Sequence, residues 1–148
     1  MIVSVPVARR VPAPVSDSWI QKTIAAALRL AKVKDSTEVG VVFVGDLEMK
    51  KLNARYRSKK KTTDVLSFGN DDQWPVAGEN RRLLGDVVIS VPQAQRQAEA
   101  AKKPLRSERA LLLVHGLLHL LGYDHETIKD ECVMLPLQTR ILKSLRYV

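Results

Sequence analysis

His115, His119 and His125 are the only histidines in the 148-residue chain, and they fall within eleven consecutive positions. His115 and His119 are four residues apart, so on a helix they project from one face, one turn apart. Gly122 follows three residues after His119, where a glycine can end a helix in a left-handed turn. Tyr123 and Asp124 then lead the third imidazole back towards the first two. Three converging neutral imidazoles suit a divalent transition metal, most often zinc. Left without partners inside a leucine-rich helix, His115 and His119 would cost about 1–3 kcal/mol each. The expected ligands are therefore His115, His119 and His125. Three protein ligands leave one position open, which is the catalytic pattern; structural zinc is closed by four. A structural site here needs Cys132, the single thiol, and in that case Cys132→Ser releases the metal.

The spacing H-x3-H-x5-H, with glycine three positions after the second histidine, is the skeleton of the metzincin peptidase motif. In those peptidases a glutamate follows the first histidine and acts as general base. Here that position is Gly116, which has no side chain to take a proton. The metal geometry is kept and the peptidase base is missing, which argues against peptide hydrolysis.

A second constellation lies at Asn53 to Lys61, NARYRSKKK, with five cations in nine residues: Arg55, Arg57, Lys59, Lys60 and Lys61. Such runs are usually solvated surface. Two features favour RNA binding: Tyr56 sits among the cations as a base-stacking group would, and the tract leads straight into an apolar strand. Arg57 is singled out because a guanidinium grips a phosphate with two hydrogen bonds and stabilises charge developing on phosphorus.

These residues must be held by ordinary elements. Ile2 to Val7 alternates and is rich in valine, an edge strand because of Pro6. Ser18 and Gln21 have the spacing of a capping box. The helix they open runs to about Lys32, with Ile24, Ala27, Leu28 and Ala31 buried. Glu38 to Val44 is apolar enough for a central strand, and Asp46 caps a short helix through Tyr56. Thr62 to Phe68 and Arg82 to Ser90 read as strands around a polar loop, and Pro92 opens another helix. Pro104 breaks that helix and Ser107 caps the next, whose segment from Leu111 is apolar on nearly every face and therefore central to the core. Thr127 to Leu145 is amphipathic, and Pro136 is expected to kink or split it.

Length and composition fit one domain able to bury a core without disulfides or a structural metal. Lys and Arg total 24 against 16 Asp and Glu, a formal charge of +8. That excess favours a polyanionic partner. One cysteine excludes an internal disulfide and fits a reducing compartment. No segment has the make-up of a signal peptide or of a membrane span, so the expected location is the cytoplasm, with no membrane partner.

Three blocks together resemble the bacterial YbeY endoribonuclease family: Leu52-Asn53 to Arg57 followed by Thr63 to Phe68; Leu84-Gly85-Asp86 to Ser90; and His115-Gly116 to Gly122-Tyr123-Asp124-His125. The match weakens towards the C-terminus, at Cys132, Pro136 and Gln138. The resemblance implies an α+β domain over residues 1–148, a small mixed β-sheet packed by helices around a buried central histidine helix. It implies a zinc-like divalent ion on His115, His119 and His125, and metal-dependent, single-strand-specific cleavage of RNA. The implied roles are 3′-end maturation of small-subunit rRNA and ribosome quality control, alongside the small ribosomal subunit and its assembly factors. The family's important arginine falls on Arg57, which with His115 forms the expected catalytic pair. Asp86 and Asp124 are the carboxylates near the matched blocks, as base or as support for a histidine. Two other readings compete: an RNA-binding assembly factor with a structural metal, and a divergent metallo-peptidase or other hydrolase.

Overall fold

The structure, a computed structural model, describes residues 2–57, 64–69, 81–123 and 127–147, apart from the side chains of Tyr56, Arg57 and Arg81. Its centre is a five-stranded mixed sheet. β1 (Val3–Ser4) and β2 (Val7–Arg9) both run parallel to β3 (Ser36–Val44), which pairs in parallel with β5 (Arg81–Ser90). β4 (Val65–Gly69) closes the other edge, antiparallel to β5. The expected first strand is thus two short edge pieces interrupted at Pro6, whose carbonyl still accepts from Val41.

Burial alternates along β3: Val39, Val41 and Phe43 are buried on one side, while Glu38, Gly40 and Val42 are half-buried on the other. The first face carries the main core. It is covered by α1 (Asp17–Leu30) through Ile20, Ile24 and Leu28, and by α4 (Leu105–Leu120) through Leu113 and Leu117. α3 (Val91–Ala100) and α5 (Ile128–Ser144) pack beside α4. The opposite face carries a smaller cluster, in which Met49 of α2 (Asp46–Arg57) meets Val44, Leu66 and Val88. Fully buried leucines such as Leu113 and Leu117 contribute about 1.5–3 kcal/mol each.

Helix starts differ from expectation where a nearer group satisfies the free amides. α1 is capped by Ser16, whose hydroxyl accepts from Trp19 N, and not by Ser18. α4 begins after Pro104, whose carbonyl accepts from Ser107 N and Glu108 N, so Ser107 lies inside the first turn. α5 is one continuous helix capped by Thr127, with Pro136 inside it. Pro136 and the Cys132 carbonyl that it deprives of a donor are on exposed residues, where water replaces the lost bond. Among the described residues no helix is long and apolar enough to cross a membrane.

Candidate metal centre

α4 is apolar on most sides because it lies between the sheet and α5. Leu112, Leu113, Val114, Leu117, Leu118 and Leu120 are all buried. Its close approach to the sheet runs through Gly116, where Ser67 of β4 donates from Oγ to the glycine carbonyl at 2.9 Å. That contact sets the rotation of the helix, and His115 and His119 both stand half-buried on it.

The two imidazoles converge. Their Nε2 atoms are 3.1 Å apart, and the rings meet nearly edge to face, with centroids 4.6 Å apart. On its other side His115 Nδ1 lies 2.8 Å from Oε1 of Gln138, on α5. A tetrahedral site with metal–nitrogen bonds of about 2.0–2.1 Å requires donor nitrogens about 3.3 Å apart. Two imidazole Nε2 atoms at this separation, one ring oriented by an amide, fit a borderline-soft divalent ion.

α4 ends as the spacing predicts. Gly122 has φ +100°, its N–H donates to the His119 carbonyl, and Tyr123 N–H donates to the Leu118 carbonyl. This is the Schellman arrangement, in which a glycine at the left-handed position turns the chain off the helix. His125 and Asp124 themselves lie outside the described residues, as do Lys59, Lys60, Lys61 and the side chain of Arg57. Among the described residues no third His, Cys, Asp or Glu joins His115 and His119.

Cys132 is exposed on α5. It is six residues before Gln138, about 120° round the helix from the face that meets His115. Arg55 is exposed on α2, which packs on the sheet face away from α4.

Asp86 is not brought to the histidines. It sits on β5 beside Phe68 and above Gly40, in a groove that Glu38 also lines, on the face opposite α4. Alternation with the core residues Val87 and Ile89 puts it there, and a bulge moves Leu84 off its face. The register shifts between Glu38 and Val39, leaving Leu84 as the extra residue, and Gly85 takes φ +133°. Leu84 then shares the main core with Val87 and Ile89, away from Asp86. As a base or as support for a histidine, Asp86 is therefore misplaced. Sequence reasoning also missed Gln138. Its only signal was a polar residue on the face of α5 that buries Met134 and Ile141.

At the foot of α2, Arg96 of α3 forks onto Asp46, at 2.7 and 3.0 Å. This hydrogen bonding holds the Asp46 carboxyl below its ordinary pKa, against the opposing effect of burial.

A mixed sheet packed by helices, with paired imidazoles on the helix that Gly116 brings against it, defines a small α+β protein. The profile of one family, described as Endoribonuclease YbeY, matches residues 8–146, and the chain belongs to that family. It is 46% identical over 113 residues to "Endoribonuclease YbeY" of Persephonella marina, covering 76% of this chain and 72% of that protein. It is 38% identical over 144 residues to the protein of the same name from Dehalococcoides mccartyi, covering 90% of each. To the Bacillus cereus protein of that name it is 39% identical over 132 residues, covering 86% and 85%. The fold is similar to the solution structure of TM1509 from Thermotoga maritima, with a TM-score of 0.59 at 22% identity, covering 96% of this chain and 91% of that one.

Proposed function

We propose that this protein is a metal-dependent, single-strand-specific endoribonuclease that acts in 3′-end maturation of small-subunit rRNA and in ribosome quality control. The observation that carries the metal site is the 3.1 Å convergence of His115 and His119 Nε2. The relatives' name supports the reaction, and the +8 charge supports the substrate.

In this scheme His115, His119 and His125 hold one divalent ion, most suitably zinc. When bound, it supplies Lewis acidity at a phosphoryl oxygen and makes water a nucleophile near neutral pH. The protein's own groups position the RNA. Arg57 grips the scissile phosphate and stabilises the charge that accumulates on it. Arg55, Lys59, Lys60 and Lys61 hold the flanking backbone, so binding weakens steeply as salt rises. With Asp86 on the far face of the sheet, Asp124 is the carboxylate assigned to proton transfer or to support of a histidine. The small ribosomal subunit and its assembly factors are the proposed partners, in the cytoplasm.

The exposure of Cys132 disfavours a site closed by its thiolate. The packing of Gly116 against the sheet disfavours a peptidase, because no side chain fits where the peptidase base is needed. The test is cleavage of single-stranded RNA by the wild type, His115→Ala, His119→Ala and Arg57→Ala, before and after chelation. Undiminished cleavage by the purified histidine variants would mean a contaminating nuclease and defeat the proposal.

A further inference from the structure

We propose that Gln138 is a positioning residue: its amide carbonyl fixes the tautomer of His115 and so presents the His115 Nε2 lone pair to the metal. The inference rests on the metal-site reading above and adds a residue from a different helix to it.

A neutral imidazole carries one N–H and one lone pair, and its hydrogen-bond partner decides which nitrogen has which. Gln138 Oε1 is 2.8 Å from His115 Nδ1. A carbonyl oxygen can only accept, so Nδ1 carries the proton and Nε2 is bare. That Nε2 is the atom which faces His119 Nε2. The reverse tautomer would put the proton on the His115 nitrogen that must bind the ion.

Gln138 is itself held. It is 9% exposed, and its neighbours one turn either way on the same face, Met134 and Ile141, are fully buried. α5 packs along α4, so the amide cannot move away without uncovering that core. A buried amide also needs its carbonyl satisfied, and the His115 N–H does this. A histidine that binds metal is oriented by a hydrogen-bond acceptor on its other ring nitrogen, and the Gln138 carbonyl supplies one.

Two measurements test the assignment. Nitrogen-15 NMR of the metal-free wild type should show His115 protonated on Nδ1. Zinc affinity, measured by competition with a chromophoric chelator, should fall about 10- to 100-fold in Gln138→Leu, the usual cost of losing such a partner. In Gln138→Glu, which keeps an acceptor, it should stay within a few-fold of wild type. Far-ultraviolet circular dichroism and the melting curve check that Gln138→Leu stays folded. A wild-type His115 protonated on Nε2 overturns the proposal whether or not any variant folds. So does a folded Gln138→Leu with unchanged zinc affinity, although the metal-site reading would then survive. Absence of zinc binding to the wild type defeats that reading, and the tautomer measurement still decides the role of Gln138.

Discussion

A Cβ on Gly116 would lie 2.7 Å from Cγ1 of Val87, closer than real Cβ atoms come to a neighbour. Val65 Cγ2 and Ser67 Oγ would be at 3.2 and 3.3 Å, so the glycine faces a wall of strand side chains. The missing peptidase base is thus a consequence of packing: a glutamate here would point into the sheet and not towards His115. Gly116→Ala should gain about 1 kcal/mol of helix propensity and lose about 1–3 kcal/mol to overpacking against a buried valine. A lower urea midpoint is the expected result. Gly116→Glu should yield neither a stable fold nor peptide hydrolysis, and a folded, peptide-cleaving Gly116→Glu protein would contradict this packing explanation.

Gly122 illustrates a different use of glycine. Among the described residues nothing lies within 4 Å of the position its Cβ would take, and its φ of +100° is what requires a glycine. Gly122→Ala should cost about 1 kcal/mol through left-handed strain alone. Lys102, at φ 54°, ends α3 with the same pair of bonds, to Glu99 and Ala98. There a cation at a helix C-terminus offsets part of the strain, and Lys102→Gly should change stability by less than about 0.5 kcal/mol. Thermal melts of the two variants separate these effects, and equal losses would refute the distinction.

The histidine helix was legible because two signals agreed. The spacing of His115 and His119 set one face, and the all-round leucine content of α4 set its burial. The strand set was legible from its valines. Asp86 was not, because strict alternation puts Leu84, Asp86 and Val88 together, and a one-residue bulge opposite Glu38 and Val39 separates Leu84 from the other two. Gln138 was not legible as a partner either. Its role depends on how α5 docks against α4, a contact between residues twenty-three apart that no local pattern encodes. Of the misassigned caps, Ser18 lies two residues from Ser16, which does the capping, and Ser107 lies in the first turn of a helix with no side-chain cap.

The Asp46–Arg96 fork links the start of α2 to α3 and gives stability a defined pH dependence. The carboxyl is held below its ordinary value of 3.8 by hydrogen bonding to the guanidinium. A group that binds its proton less tightly when folded stabilises the fold above its unfolded pKa, and that contribution fades as pH falls through its folded pKa. Asp46→Asn should therefore lower the urea midpoint slightly at pH 7 and match the wild type in strong acid. The effect is small because the side chains are 43% and 51% exposed and water screens them. A difference that grows towards low pH would reverse the sign argued here.

Metal binding should appear as folding stability before any activity is measured. An ion that binds only the folded chain adds about 2.7 kcal/mol at 100 times its dissociation constant and about 4.1 kcal/mol at 1,000 times. On the proposed site, zinc should raise the melting temperature of the wild type and chelation should reverse the rise. His119→Ala removes one of two nitrogens 3.1 Å apart and should abolish the zinc-dependent shift. Cys132→Ser should leave it whole, because the thiol is exposed on α5 and away from the face that meets His115. A zinc shift that survives His119→Ala and disappears with Cys132→Ser would move the ion to a different set of ligands and undo the assignment.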